Sequence, residues 1–557
     1  MALTRATRRQ FARLSLAALA AGCAHSTSDR RDIILHGGAI HTGIAARPRV
    51  EAVRIRAGRI LFAGAFDEAR AGAGDARFID LQGAAAFPGF IDAHVHLTGV
   101  GMAAMLLDLV GTASIAALQQ RLREYAGAHP AGPIRGRGWI ETHWPERRFP
   151  SRADLDAMVS GRPVLLDRID GHAVVANSAA LALAGIDAGT PDPEGGRIER
   201  DASGAATGML IDNAVQLVER RLPALSPAMR REALAQAARL YASRGWTGVA
   251  NMSTSAEEAT LFAEFAGQGE LPLHADLYMA PEDSNDLFER GPHGDASGLV
   301  QVRGVKLYMD GALGSRGAAL LAPYQDAPGD GLLVTPLEDL RTILRRARAR
   351  GVQVATHAIG DRGNRLVLDA YRDTFTDDPA SLRAARWRIE HAQVIATEDL
   401  PRLAQLGVIA SMQPSHAISD LHFAPARLGE QRLAGAYAWN SLLRSGAIIA
   451  AGSDAPVERG DPLIEFYAAA HRRDLSGFSG PDWRLDEAVS RAEALRMLTW
   501  APAYAAFREN ERGTIKAGKR ADISAFSVDL MHAPFADIAR AHAVLTISDG
   551  RVTHQAA

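Results

Sequence analysis

The stretch Phe87–Gly101, FPGFIDAHVHLTGVG, ends an apolar run on two histidines separated by one valine. The run reads as a buried strand introduced by Pro88 and Gly89. Residues i and i+2 of a strand share a face, so the imidazoles of His94 and His96 project to the same side. Two neutral imidazoles joined by a carboxylate suit zinc or a related divalent ion. Taken alone, His-x-His also occurs as an ordinary packed or surface pair, so the rest of the chain must decide.

Outward from this stretch, apolar runs alternate with amphipathic ones. Further strands are expected in GWTGVANM, LPLHADLYM, VRGVKLYMD, VQVATHAIG, RWRIEHAQV, GVIASMQPS and AIIAAGSDAP. Pro227–Gly245 and Pro336–Gly351 carry apolar residues at helical spacing and stop at glycine. Strands that are apolar throughout, alternating with helices, predict an α/β fold with a parallel sheet covered by helices. Eight strands are the number that closes a (β/α)8 TIM-like barrel, expected over residues 88–508. Short Gly-punctuated β-like runs at residues 31–87 and 509–557 predict a small β-sandwich domain built from both chain ends. A long insertion, about 97–225, follows the first barrel strand and reads as a lid or substrate-binding subdomain.

Barrel sites sit at the C-terminal ends of the strands. The first strand end offers His94 and His96, the fourth Lys306 and then Asp310, the fifth His357, the sixth His391 and the eighth Asp454. Each has a plainer alternative: Lys306 in a salt bridge to Asp310, for example, or Asp454 in a turn held by an Asx hydrogen bond.

The ordered segments FPGFIDAHVH, GVKLYMDGALGSRGA, THAIGDRGN, RIEHAQV, SMQPSH, GSDAPV and GTIKAGKRADISAF resemble the amidohydrolase superfamily, in particular its YtcJ-like branch, which includes N-substituted formamide deformylases. The resemblance runs from about Asp32 to the C-terminal end. It implies that His94 and His96 bind one metal, that His357 and His391 bind a second where one is present, and that Lys306, carbamylated to N6-carboxylysine, bridges them. Carbamate oxygens would replace an ammonium that two dications disfavour. Asp454 would ligate metal and take the proton of the attacking water. The implied cofactor is one or two divalent ions, with zinc expected. His172 and His416 could contact substrate or the developing oxyanion, and Arg316 could pair with a carboxylate or carbonyl group; each equally suits holding loop backbone in place. Glu390 should face away from His391 on a regular strand and support the site from behind. Trp139, Trp144 and Phe149 of the insertion would build either an apolar pocket or plain core.

The expected function is metal-dependent hydrolysis of a C–N, amide-type bond in a small organic molecule. The same ligands would serve an ester or a cyclic amide. A non-catalytic solute-binding barrel is the reading from another class; it need not retain Asp454 together with four histidines, all of which are filled here. A formal net charge of −2 gives no electrostatic case for nucleic acid. The lone cysteine excludes an internal disulfide framework. It sits in TRATRRQFARLSLAALAAGCAHS, which reads as an export signal over residues 1–30, with Arg8 and Arg9 resembling a twin-arginine region and AAGC a lipoprotein box. A periplasmic or membrane-attached protein, lipidated at Cys23, and a homo-oligomeric assembly are expected.

Overall fold

Each of the eight apolar runs forms a strand: β1 (Phe90–Val95), β2 (Trp246–Thr254), β3 (His274–Met279), β4 (Val300–Tyr308), β5 (Gln353–Ala358), β6 (Arg388–His391), β7 (Ile409–Met412) and β8 (Ile449–Ala451). The computed structural model describes residues 31–223, 226–481 and 483–556. The expected export signal and Cys23 lie outside the described residues. Neighbouring barrel strands pair in parallel from β1 through to β8.

The helix Leu337–Arg350, between β4 and β5, illustrates how the sequence builds the outer layer. It buries Leu340, Leu344 and Ala347 along one stripe. Glu338 and Asp339 lie in its first turn and Arg348 and Arg350 in its last, complementing the helix dipole. It stops at Gly351, whose φ of +63° is readily adopted without a Cβ. The buried stripe joins Val354 of β5 and Leu368 of the next helix in the main core.

The barrel closes between its first and last strands just beyond β8. The Asp454 N–H donates to the His94 carbonyl at 2.7 Å, and the His96 N–H to the Ala455 carbonyl at 2.9 Å. Gly452 makes this approach possible, because a Cβ there would lie 2.3 Å from the His94 nitrogen. Asp92 fastens the same seam: Oδ1 accepts from the Ser453 and His94 N–H groups, and Oδ2 from the Ser453 and Tyr241 hydroxyls.

The chain ends form a four-stranded and a six-stranded sheet. Ile523–Phe526, from the C-terminal part, pairs with Ala85–Pro88, which leads into β1. Leu35, Val53 and Ile60 of one sheet share a core with Ile40, Ala86, Ile523 and Ile547 of the other. Between β1 and β2, a six-stranded sheet spans strands from Leu107–Asp108 to Ala206–Asp212. Trp139 and Trp144 are buried in its core, their indole N–H groups donating to the Leu166 and Thr112 carbonyls.

Candidate active site

The strand register brings the polar residues together. Tyr308 of β4 lies opposite His357 of β5, and Ala358 of β5 opposite His391 of β6. With β1 joined to β8, the strand ends form a ring that places His94 and His96 next to Asp454. Asp454 Oδ1 is 3.3 Å from His94 Nε2 and 3.4 Å from His96 Nε2. Its Oδ2 is 3.7 Å from His416 Nε2. Two overlapping sets, His94–His96–Asp454 and His391–His416–Asp454, have their donor atoms within 4.8 Å of one another.

Second partners orient these imidazoles. Glu390 Oε2 is 2.6 Å from His94 Nδ1, which leaves Nε2 directed at Asp454. Gln413 Oε1 is 2.9 Å from His391 Nδ1. Glu390 is held by Arg388, whose guanidinium also reaches the Ala93 carbonyl and the Ser411 hydroxyl. The expected regular alternation fails at the end of β6: His391 and Ala392 have φ of +71° and +43°. The strand leaves β geometry there, and Glu390 and His391 both reach the groups at the barrel centre.

Lys306 is 1% exposed, with Nζ 3.3 Å from His94 Nε2. Its expected alternative partner, Asp310, is engaged elsewhere, accepting the N–H groups of Ala319, Ile359 and Gly360. His357 packs its ring 4.5 Å from His391 and 5.0 Å from His172, with Nε2 3.4 Å from the Gly311 carbonyl. His172, from the insertion, therefore meets the barrel residues. Its Nδ1 is 2.6 Å from Asp212 Oδ1. Arg316 lies apart from this group and pairs with Asp326. Gln413, Asp212 and the Asp92 clamp were missed by sequence reasoning, and His416, taken there as a substrate contact, sits within a donor cluster.

Burial keeps His357 and His391 neutral, well below the ordinary histidine range. Burial also brings Lys306 down to about 8. Burial opposes ionisation of Asp454, but the neighbouring His94 and His96 outweigh it and hold the carboxyl well below its ordinary value. For His172, burial favours the neutral ring, yet the Asp212 hydrogen bond prevails and raises it to about 8. The donor chemistry fits a divalent cation: the imidazoles of His96, His391 and His416, which burial keeps neutral, converge on an ionised carboxylate, and among the described residues His416 Nε2 is buried without a hydrogen-bond partner.

The centre opens into two lobes that share His172, His357, His391 and Asp454. One, of about 250 Å³, has Ile140, Leu313, Ile418 and Phe423 in its wall. The other, of about 470 Å³, is the more polar of the two, with Arg137, Asp212, Asn213, Gln216 and Glu219 in its wall. The Asp170–His172 segment of the insertion borders both.

The amidohydrolase family model matches residues 77–554. The chain is 34% identical to YtcJ of Bacillus subtilis (strain 168), named as a candidate amidohydrolase, over 94% of this chain and 99% of that protein. It is 30% identical to an N-substituted formamide deformylase of Arthrobacter pascens, over 94% of this chain and 98% of that protein. Among solved structures, a metal-dependent hydrolase from Pyrococcus horikoshii OT3 superposes with a TM-score of 0.74 at 27% identity, covering 90% of this chain and 99% of that one. The chain belongs to the amidohydrolase family.

Proposed function

We propose that this protein hydrolyses a C–N, amide-type bond of a small organic substrate with the help of a divalent cation, zinc being the ion that best suits the donors. The observation that carries this reading is the approach of His94 Nε2 and His96 Nε2 to one oxygen of Asp454, at 3.3 and 3.4 Å. His94, His96, His391, His416 and Asp454 would hold the ion, with Lys306 and His357 beside them. A bound divalent ion lowers the pKa of water and polarises a carbonyl oxygen.

The chain's own groups then handle the protons. Asp454 accepts a proton from the attacking water as its oxygen bonds to the carbonyl carbon. When the C–N bond breaks, the same carboxyl delivers that proton to the departing nitrogen, so the products are a carboxylic acid and an amine. His172, with Nδ1 committed to Asp212, keeps Nε2 for an oxygen that gains negative charge in the transition state. The Asp170–His172 segment of the insertion forms part of the wall around this chemistry.

Carbamylation of Lys306 is part of this proposal. A buried lysine that has no ion-pair partner among the described residues and faces a histidine donor suits that modification. Protein equilibrated with ¹³C-bicarbonate and divalent ion should show a carbamate carbon signal that Lys306→Ala lacks.

The decisive experiment is hydrolysis of a panel of N-acyl amines before chelation, after chelation and after zinc is restored. Turnover should vanish with the metal and return with it. Equal turnover by the metal-free protein would overturn the reading.

A further inference from the structure

The buried arginines of this protein are mostly neutralised. Arg168 meets Glu141 and Asp170, Arg388 meets Glu390, and Arg512 meets Asp522. Arg137 differs. It lines the polar lobe of the active-site cavity together with His96, Lys306 and Asp454. Its Nη2 donates to the Ile169 carbonyl at 2.7 Å, which fixes the guanidinium against the wall. Its Nε is buried and has no acceptor among the described residues. Asp167 is its register partner on the adjoining strand, yet among the described residues no carboxylate comes within 4.0 Å of it. A guanidinium held in place beside a cavity, with no carboxylate in contact among the described residues, suits a planar oxyanion, and its fork matches a carboxylate.

We propose that Arg137 binds a carboxylate carried by the substrate, so that the polar lobe selects amides bearing an anionic substituent near the scissile carbonyl. This rests on the hydrolytic reading above. It assigns the two lobes different tasks: the polar one receives the charged end, and the one lined by Ile140, Leu313, Ile418 and Phe423 receives the remainder. Asp170, Asp212 and Glu219, which line the same polar lobe, are the groups that would instead favour a cation.

The test uses the metal-loaded protein and a pair of ligands that cannot be hydrolysed. Levulinate is the ketone counterpart of N-acetylglycine, and levulinamide its neutral partner. By calorimetry, levulinate should bind at least about tenfold tighter than levulinamide, a charge-assisted bidentate preference. In Arg137→Met the ratio should fall to near one, and in Arg137→Lys an intermediate ratio should remain. Absence of a preference in the wild-type protein overturns the proposal without need of any variant. So does a preference that survives in Arg137→Met, which would place the carboxylate on the metal. Faster hydrolysis of N-acetylethylenediamine than of N-acetylglycine would also overturn it, assigning the lobe to its carboxylates. If neither N-acetylglycine nor N-acetylglycinamide were turned over while the levulinate preference held, the amide reaction would fail and the carboxylate subsite would stand.

Discussion

The Asp454 N–H donates to the His94 carbonyl at 2.7 Å, while the Asp454 carboxylate lies 3.3 Å from the His94 imidazole. One contact closes the barrel and the other belongs to the candidate metal centre. The two are coupled, since any slip of the seam between β1 and β8 moves two candidate ligands apart. Stability and chemistry here share the same few atoms.

Asp454→Asn should lower kcat by at least about 10²-fold, the range of a lost general acid–base group. The amide keeps an oxygen donor, so much of the metal should remain. Steady-state kinetics with metal analysis of the same sample checks both; near-normal turnover would remove the assigned role.

Glu390→Gln should weaken metal binding by about 10- to 100-fold, because a neutral amide orients and polarises His94 less well. Competition against a chromophoric chelator measures this directly. Glu390→Ala should do more, leaving the Arg388 guanidinium buried beside Tyr278 and Ser411 without its carboxylate, at about 3–5 kcal/mol of stability.

Gly452→Ala should destabilise the protein by about 1–3 kcal/mol through overpacking, since the added Cβ would meet the His94 nitrogen at 2.3 Å. Metal affinity should fall with it. A lower urea midpoint accompanied by unchanged metal affinity would show that the seam and the centre are independent.

Asp522 joins the C-terminal sheet to the barrel, pairing with Arg512 at 2.6 Å and His274 at 3.2 Å. Burial opposes its ionisation, but Arg512 and His274 outweigh it and hold the carboxyl far below the ordinary range. A depressed folded-state pKa stabilises above the unfolded value, about 3.9, and that stabilisation is lost as pH falls towards the folded value. Asp522→Asn should therefore cost about 3–5 kcal/mol near neutrality, with the gap to wild type narrowing below about pH 4. Urea unfolding across that pH range checks the sign.

Much of this protein was legible in the chain itself. The alternation of apolar runs with helical stripes specifies eight parallel strands, because burial on both faces demands continuous apolar strands and the stripes must cover them. His94-Val95-His96, Lys306, His357, His391 and Asp454 all stand at or just beyond strand ends, so their approach to the barrel mouth follows from the period of a strand. The tertiary structure alone decided the rest. His391 takes a positive φ that no periodicity announces, which brings Glu390 and His391 to the same centre. Gln413, Asp212 and Asp92 act through hydrogen bonds to partners on other elements, and His416 reaches the donors from the helix Pro414–Asp420 that follows β7. The division into two lobes depends on the insertion meeting the barrel at His172. Local pattern dictates which face a side chain takes on its own strand or helix; which distant group it meets there is set by how the barrel closes.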